Sequence, residues 1–88
     1  MLTNEQQEKV NKAVDLMAKD PDILKIVREI EASPKTTKGH YGRYMHFIGN
    51  FASQPGMVRL VIAPALKKAG ADPYGVDWAV KLTLNPIA

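Results

Sequence analysis

Apolar residues recur with a helical period along the N-terminal third of the chain. Val10, Ala13, Val14 and Met17 fall at i, i+3, i+4 and i+7 and make one stripe, while Glu5, Glu8, Lys9, Lys12 and Asp15 fill the other positions. The spacing predicts a surface helix with one buried face. Its start is marked by Thr3 with Gln6, or Asn4 with Gln7: each pair can form a capping box, the short side chain accepting from an orphan backbone N–H while the amide reaches back. Asp20-Pro21 restarts the pattern, with Asp20 suited to the N-cap and Pro21 to the first helical position, where a missing N–H costs nothing. Ile23, Ile26, Val27 and Ile30 repeat the helical spacing, so two helices are expected to meet at a corner with almost no loop.

Ser33-Pro34-Lys35-Thr36-Thr37-Lys38-Gly39 breaks the periodicity and reads as a flexible basic linker around 33–39. In the third helix Tyr44, Phe47, Ile48 and Phe51 form the apolar stripe, with Tyr41 and Met45 on its flanks. Arg43, His46 and Asn50 collect on a second face. Gly42 and Gly49 align on a third, where the lack of side chains admits another backbone.

Positions 57–66 are apolar nearly all round, which suits a buried helix or a central strand equally, and Pro64 would kink the helix. Lys67, Lys68 and Gly70 have the character of a helix C-terminus. Asp72-Pro73 has the same form as the Asp20-Pro21 start signal, and Asn85-Pro86 is a stop. Between them Val76, Trp78, Val80, Leu82 and Leu84 alternate with more polar positions, the period of a half-buried strand. The fold expected is an all-α bundle of four to five helices in a single domain spanning 1–88. The alternative is an α+β fold with two strands near 57–63 and 76–84, which is disfavoured because two strands alone make a poor sheet. The expected core takes Val10, Val14 and Met17 from the first helix and Ile23, Ile26, Val27 and Ile30 from the second. Phe47, Ile48, Phe51, Leu60, Val61 and Trp78 complete it.

Composition narrows the chemistry. With 88 residues, 45% of them apolar and 24% charged, the chain is an ordinary globular domain. Having no cysteine, it has no disulfide, thiolate metal site or cysteine nucleophile. The two histidines, His40 and His46, are six apart rather than the four that would put both on one metal, and are read as surface residues; no metal site and no cofactor are expected. Neither serine lies in a nucleophile elbow, and Lys35–Gly39 lacks the ordered pattern of a phosphate loop, so no enzymatic activity is expected. The polar start and the short, interrupted apolar runs predict no signal peptide, no membrane association and a cytoplasmic protein.

Charge adds the one asymmetry. No acidic residue occurs between Glu31 and Asp72, where Lys35, Lys38, Arg43, Arg59, Lys67 and Lys68 sit, while the flanking segments are net acidic. The function expected from these features is that of a small non-enzymatic interaction module that binds a protein partner or a second copy of itself. Self-association is suggested by the apolar 54–66 face and by the two aligned glycines. The alternative is a nucleic-acid-binding protein using the acid-free stretch 35–68, in which cations meet phosphates and an aromatic stacks on a base. The candidate binding residues are Lys35, Lys38, His40, Tyr41, Arg43, His46 and Arg59. Whether Lys67 and Lys68 share a face with Lys38 and Arg43 decides how continuous a basic footprint would be.

Overall fold

The computed structural model describes residues 1–85, and all regular structure among them is helical. Helix α1 spans Asn4–Lys19 and starts with the Thr3/Gln6 version of the capping box: Gln6 N–H donates to Thr3 Oγ1 at 3.1 Å and Thr3 N–H to Gln6 Oε1 at 2.9 Å. Asp20 ends α1 and starts α2 (Pro21–Glu31), accepting the Asp22 and Ile23 N–H groups at 2.8 and 3.3 Å on one carboxylate oxygen. A single extended residue therefore makes the corner.

Segment 33–39 is a tied turn. His40 N–H donates to the Pro34 carbonyl at 2.8 Å, Tyr41 N–H to that of Thr36 at 3.1 Å, and Gly39 N–H to Thr36 Oγ1 at 3.0 Å. The turn lies so close to α3 (His40–Gly49) that a Cβ on Gly42 would stand 1.9 Å from the Thr37 carbonyl oxygen. The backbone that Gly42 admits is thus its own chain's, while Gly49 faces open space.

Residues 55–68 run as one helical rod in three parts: α4 (Pro55–Met57), a π-helical turn (Val58–Ile62) and α5 (Ala63–Lys68). The π turn answers the Pro64 problem. Ala63 N–H bonds the Val58 carbonyl five residues back, and the wider turn leads into a residue with no N–H to give. Gly70, at φ 107°, ends the rod, and Asp72 caps α6 (Pro73–Leu84) by accepting the Tyr74 N–H at 3.1 Å. Both segments proposed as strands in the α+β alternative are therefore helical. At 76–84 the cap wins over the alternation, since no strand stands beside this segment to reward pairing. Pro86 of the stop signal lies outside the described residues, although the helix does end at Leu84 with Asn85 as its cap.

One contiguous core joins α2, α3, the rod and α6, and the most extensive packing is that of α3 on α6. Ile23, Val27 and Ile30 enter it from α2, Tyr44 and Ile48 from α3, and Val76 and Ala79 from α6. From the rod come Val58, Ile62 and Leu66, at i, i+4 and i+8. Leu60, expected inside, is 42% exposed: it sits two positions past Val58, on the far side of the rod. Val10, Val14, Met17, Ile26, Phe47, Phe51, Val61 and Trp78 are half-buried. Helix α1 is peripheral for its length, with Ala18 its only buried residue and Leu16 73% exposed.

Candidate functional site: a cation-rimmed groove between α2 and α3

Helical spacing puts Arg43, His46 and Asn50 on one side of α3, and in the fold that side is a wall of an open groove of about 590 Å³. Ile26 and Glu29 of α2 form the opposite wall, while Ile30 and Phe47 lie between. The tied turn supplies Lys38 at one end, and Met45, 38% exposed, adds an apolar lip. The turn also orients the rim, since Arg43 Nη1 donates to Ser33 Oγ at 2.9 Å while Ser33 Oγ donates to the Glu29 carbonyl at 3.0 Å. The arrangement is an apolar trough with Arg43, held by Ser33, on one bank, Lys38 at one end and a single carboxylate on the other bank.

The six basic residues of the acid-free stretch divide in two. Lys67 pairs with Asp77 at 2.6 Å and Lys68 pairs with Asp15, whose carboxyl is held below its usual pKa first by the Lys68 hydrogen bond and then by its charge. Both acids come from the acidic flanks. Among the described residues, Lys35, Lys38, Arg43 and Arg59 are in no ion pair. Of these four, Lys38 and Arg43 line the groove, Lys35 is exposed in the turn nearby, and Arg59 is exposed on the π turn outside it.

Two of the aromatic or imidazole candidates point elsewhere. Tyr41 is half-buried against Tyr74 and Trp78, with ring centroids 6.0 and 5.6 Å away, and is not part of the groove. His40 corrects the expectation of a surface histidine available to phosphate: it is fully buried. Its Nε2 lies 3.2 Å from Asp72 Oδ2 and 3.5 Å from Glu31 Oε2, so this nitrogen faces two acceptors. The same Glu31 oxygen accepts from Tyr44 Oη at 2.6 Å and from Asp72 N–H at 3.1 Å. Glu31 ends α2, where a negative charge is poorly placed relative to the helix dipole, and these donors offset that. Burial, and then the bond to Glu31, push the Tyr44 phenol pKa up, so it stays a donor. A Cβ on Gly75 would stand 3.0 Å from His40 Nε2, so the glycine lets α6 close over the ring.

This polar node ties the end of α2 and the start of α3 to the cap of α6, with its histidine fully buried. Among the described residues no group of three His, Asp or Glu side chains is arranged to hold a metal ion, and no helix is long and apolar enough to cross a membrane. Sequence reasoning misses Glu31, Tyr44 and Asp72 as partners, since no local pattern links positions 31, 44 and 72. It assigns Ile26 and Phe47 to the core, and both do pack against it while half-buried, but periodicity marks an apolar face without saying that its outer edge lines an open groove. No family model, no curated protein and no solved structure matches the chain.

Proposed function

We propose that this protein is a non-enzymatic interaction module that binds a segment of a protein partner in the α2–α3 groove. The observation behind this reading is the coincidence of free cations with an apolar trough: Lys38 and Arg43 have no internal ion-pair partner, and they border Ile26, Met45 and Phe47 rather than a flat polar surface. A mixed surface of this kind, with an apolar centre and a charged rim, is the usual anatomy of a protein-binding patch. Nucleic acid is the weaker reading for two reasons. Lys67 and Lys68 are committed to Asp77 and Asp15, which shortens the basic footprint, and the stacking candidate Tyr41 is engaged with Tyr74 and Trp78. A second copy is also the weaker occupant. Of the large apolar side chains of the 54–66 face, Val58, Ile62 and Leu66 are turned into the core and only Met57 and Leu60 stay exposed, and the Gly42 gap is filled by the turn.

The test places a benzophenone amino acid at Met45 and, as a control, at Lys9 on the exposed face of α1. The expected result is a discrete cross-linked protein from position 45 alone; once purified, that protein should shift the amide resonances of Met45 and His46. Adducts from both positions in equal yield would overturn the reading. So would micromolar oligonucleotide binding that falls steeply with salt and is lost in Lys38→Ala/Arg43→Ala.

A further inference from the structure

Resting on the reading of the groove as a protein-binding site, we infer that its occupant is a short amphipathic helix carrying carboxylates along one flank. Two observations lead there. The first concerns backbone. Both walls are helices, whose mid-helix N–H and C=O groups are already paired within the helix, so the groove has no free edge to which an extended segment could add as a strand. A segment lying in an apolar trough loses water from its own amides, and each amide left unpaired is costly. A helix satisfies those groups internally and brings only side chains to the trough. From Arg43 to Asn50 the α3 wall is two turns long, about 10 Å at 1.5 Å per residue, which fits apolar anchors at i, i+3 or i+4, and i+7.

The second observation concerns charge. The α3 bank and the turn present Arg43, His46 and Lys38, and the α2 bank presents only Glu29. The banks differ in sign, so an occupant with acids on one flank of its apolar stripe gains by facing them to α3. Basic residues on that flank would meet unpaired cations. Arg43 is the best placed of the three for a carboxylate because its guanidinium is already oriented by Ser33. The asymmetry also sets direction: only one end-to-end orientation puts the acidic flank on the α3 side.

Three fluorescein-labelled peptides of roughly 15 residues test this: a stapled one with Leu anchors and Glu on one flank, a stapled one with Lys there instead, and the Glu peptide unstapled with a central Pro. By anisotropy, the Glu helix is expected to bind at low-micromolar Kd, and the Lys helix and the Pro peptide about tenfold or more weaker. Lys38→Glu/Arg43→Glu should invert the order of the Glu and Lys helices, and Met45→Asp should weaken the Glu helix about tenfold. Both Met45 and Arg43 are exposed, and circular dichroism of each variant checks that the fold is kept. Equal binding of Glu and Lys helices, both sensitive to Met45→Asp, overturns the acidic partner while the groove stays a binding site. Equal binding of the Pro peptide overturns the helical partner in the same way. No binding of any peptide at about 1 mM overturns the inference, and cross-linking from Met45 then decides the groove independently. Binding of the Glu helix that ignores Met45→Asp overturns both.

Discussion

At Gly42 the missing side chain is a requirement and at Gly49 it is not, although both lie on α3 seven positions apart. A methyl on Gly42 would overlap the Thr37 carbonyl oxygen, which is backbone and held by a hydrogen-bonded turn; a methyl on Gly49 would meet nothing within 4 Å. Gly42→Ala should therefore destabilise the fold by about 1–3 kcal/mol, the usual range for forced overpacking. Gly49→Ala should stabilise it by about 0.4–1 kcal/mol by restricting the unfolded chain. Thermal unfolding by circular dichroism reads both, and an unchanged Tm for Gly42→Ala would show that the turn yields freely. Tyr44 allows a test by pH. Its phenol proton is held more tightly in the fold than in the unfolded chain, so below about pH 10 its contribution is fully present. Above that value the unfolded chain gives up the proton first and stability falls as pH rises. Tyr44→Phe should lower stability by about 1–2 kcal/mol at neutral pH, through the lost bond to Glu31. It should also flatten the alkaline loss, which in the parent chain approaches about 1.4 kcal/mol per pH unit from this group. Urea midpoints from neutral to alkaline pH measure this, and parallel curves would mean that the phenol is not held by its burial.

At the scale of elements, two aspartates make the same cap and have different surroundings. At the start of a helix whose first residue is proline, Asp20 accepts two N–H groups and Asp72 one, but Asp72 also faces the buried Nε2 of His40 at 3.2 Å. Asp20→Ala is expected to cost about 1 kcal/mol, the value of a cap. Asp72→Ala should cost about 2–3 kcal/mol, because it also strips a partner from a buried ring. Denaturation followed by the fluorescence of Trp78, the single tryptophan, separates the two; equal costs would mean that the His40 contact adds nothing. The same pair shows what is legible in the chain. Caps are local, so both Asp-Pro starts and the Gly70 stop can be read directly, and the first capping box to within one residue (Thr3/Gln6 or Asn4/Gln7), and with them the all-helical fold. The His40 node cannot be read, because its members are brought together by the packing of three helices. Position 60 escapes for a different reason. In a segment apolar all round, only the neighbours decide which side is covered, and the rod turns Val58, Ile62 and Leu66 inward and Leu60 out. The groove falls in between: Arg43, His46 and Asn50 share a face by arithmetic, but that this face borders an open trough depends on where α2 lies.

For the whole molecule, the acid-free stretch of the sequence becomes two populations of charge once folded. Lys67 and Lys68 reach acids supplied by α6 and α1 and tie the end of the rod to both, while Lys38 and Arg43 remain free beside an apolar trough. A chain that used its net charge of +3 only as a diffuse attraction would respond alike to losing either pair. The fold implies that the pairs separate. Lys67→Ala/Lys68→Ala should lower Tm slightly, as exposed ion pairs between elements do, and leave affinity for the acidic helical peptide within about twofold. Lys38→Ala/Arg43→Ala should leave Tm nearly unchanged and weaken that peptide about tenfold, since neither cation has an internal ion pair to lose and the Arg43–Ser33 hydrogen bond is exposed. Both double variants remove the same charge, so any difference between them is a difference of place. Equal loss of binding in the two would mean that total charge governs the attraction, and the groove would then be no more than a feature of shape.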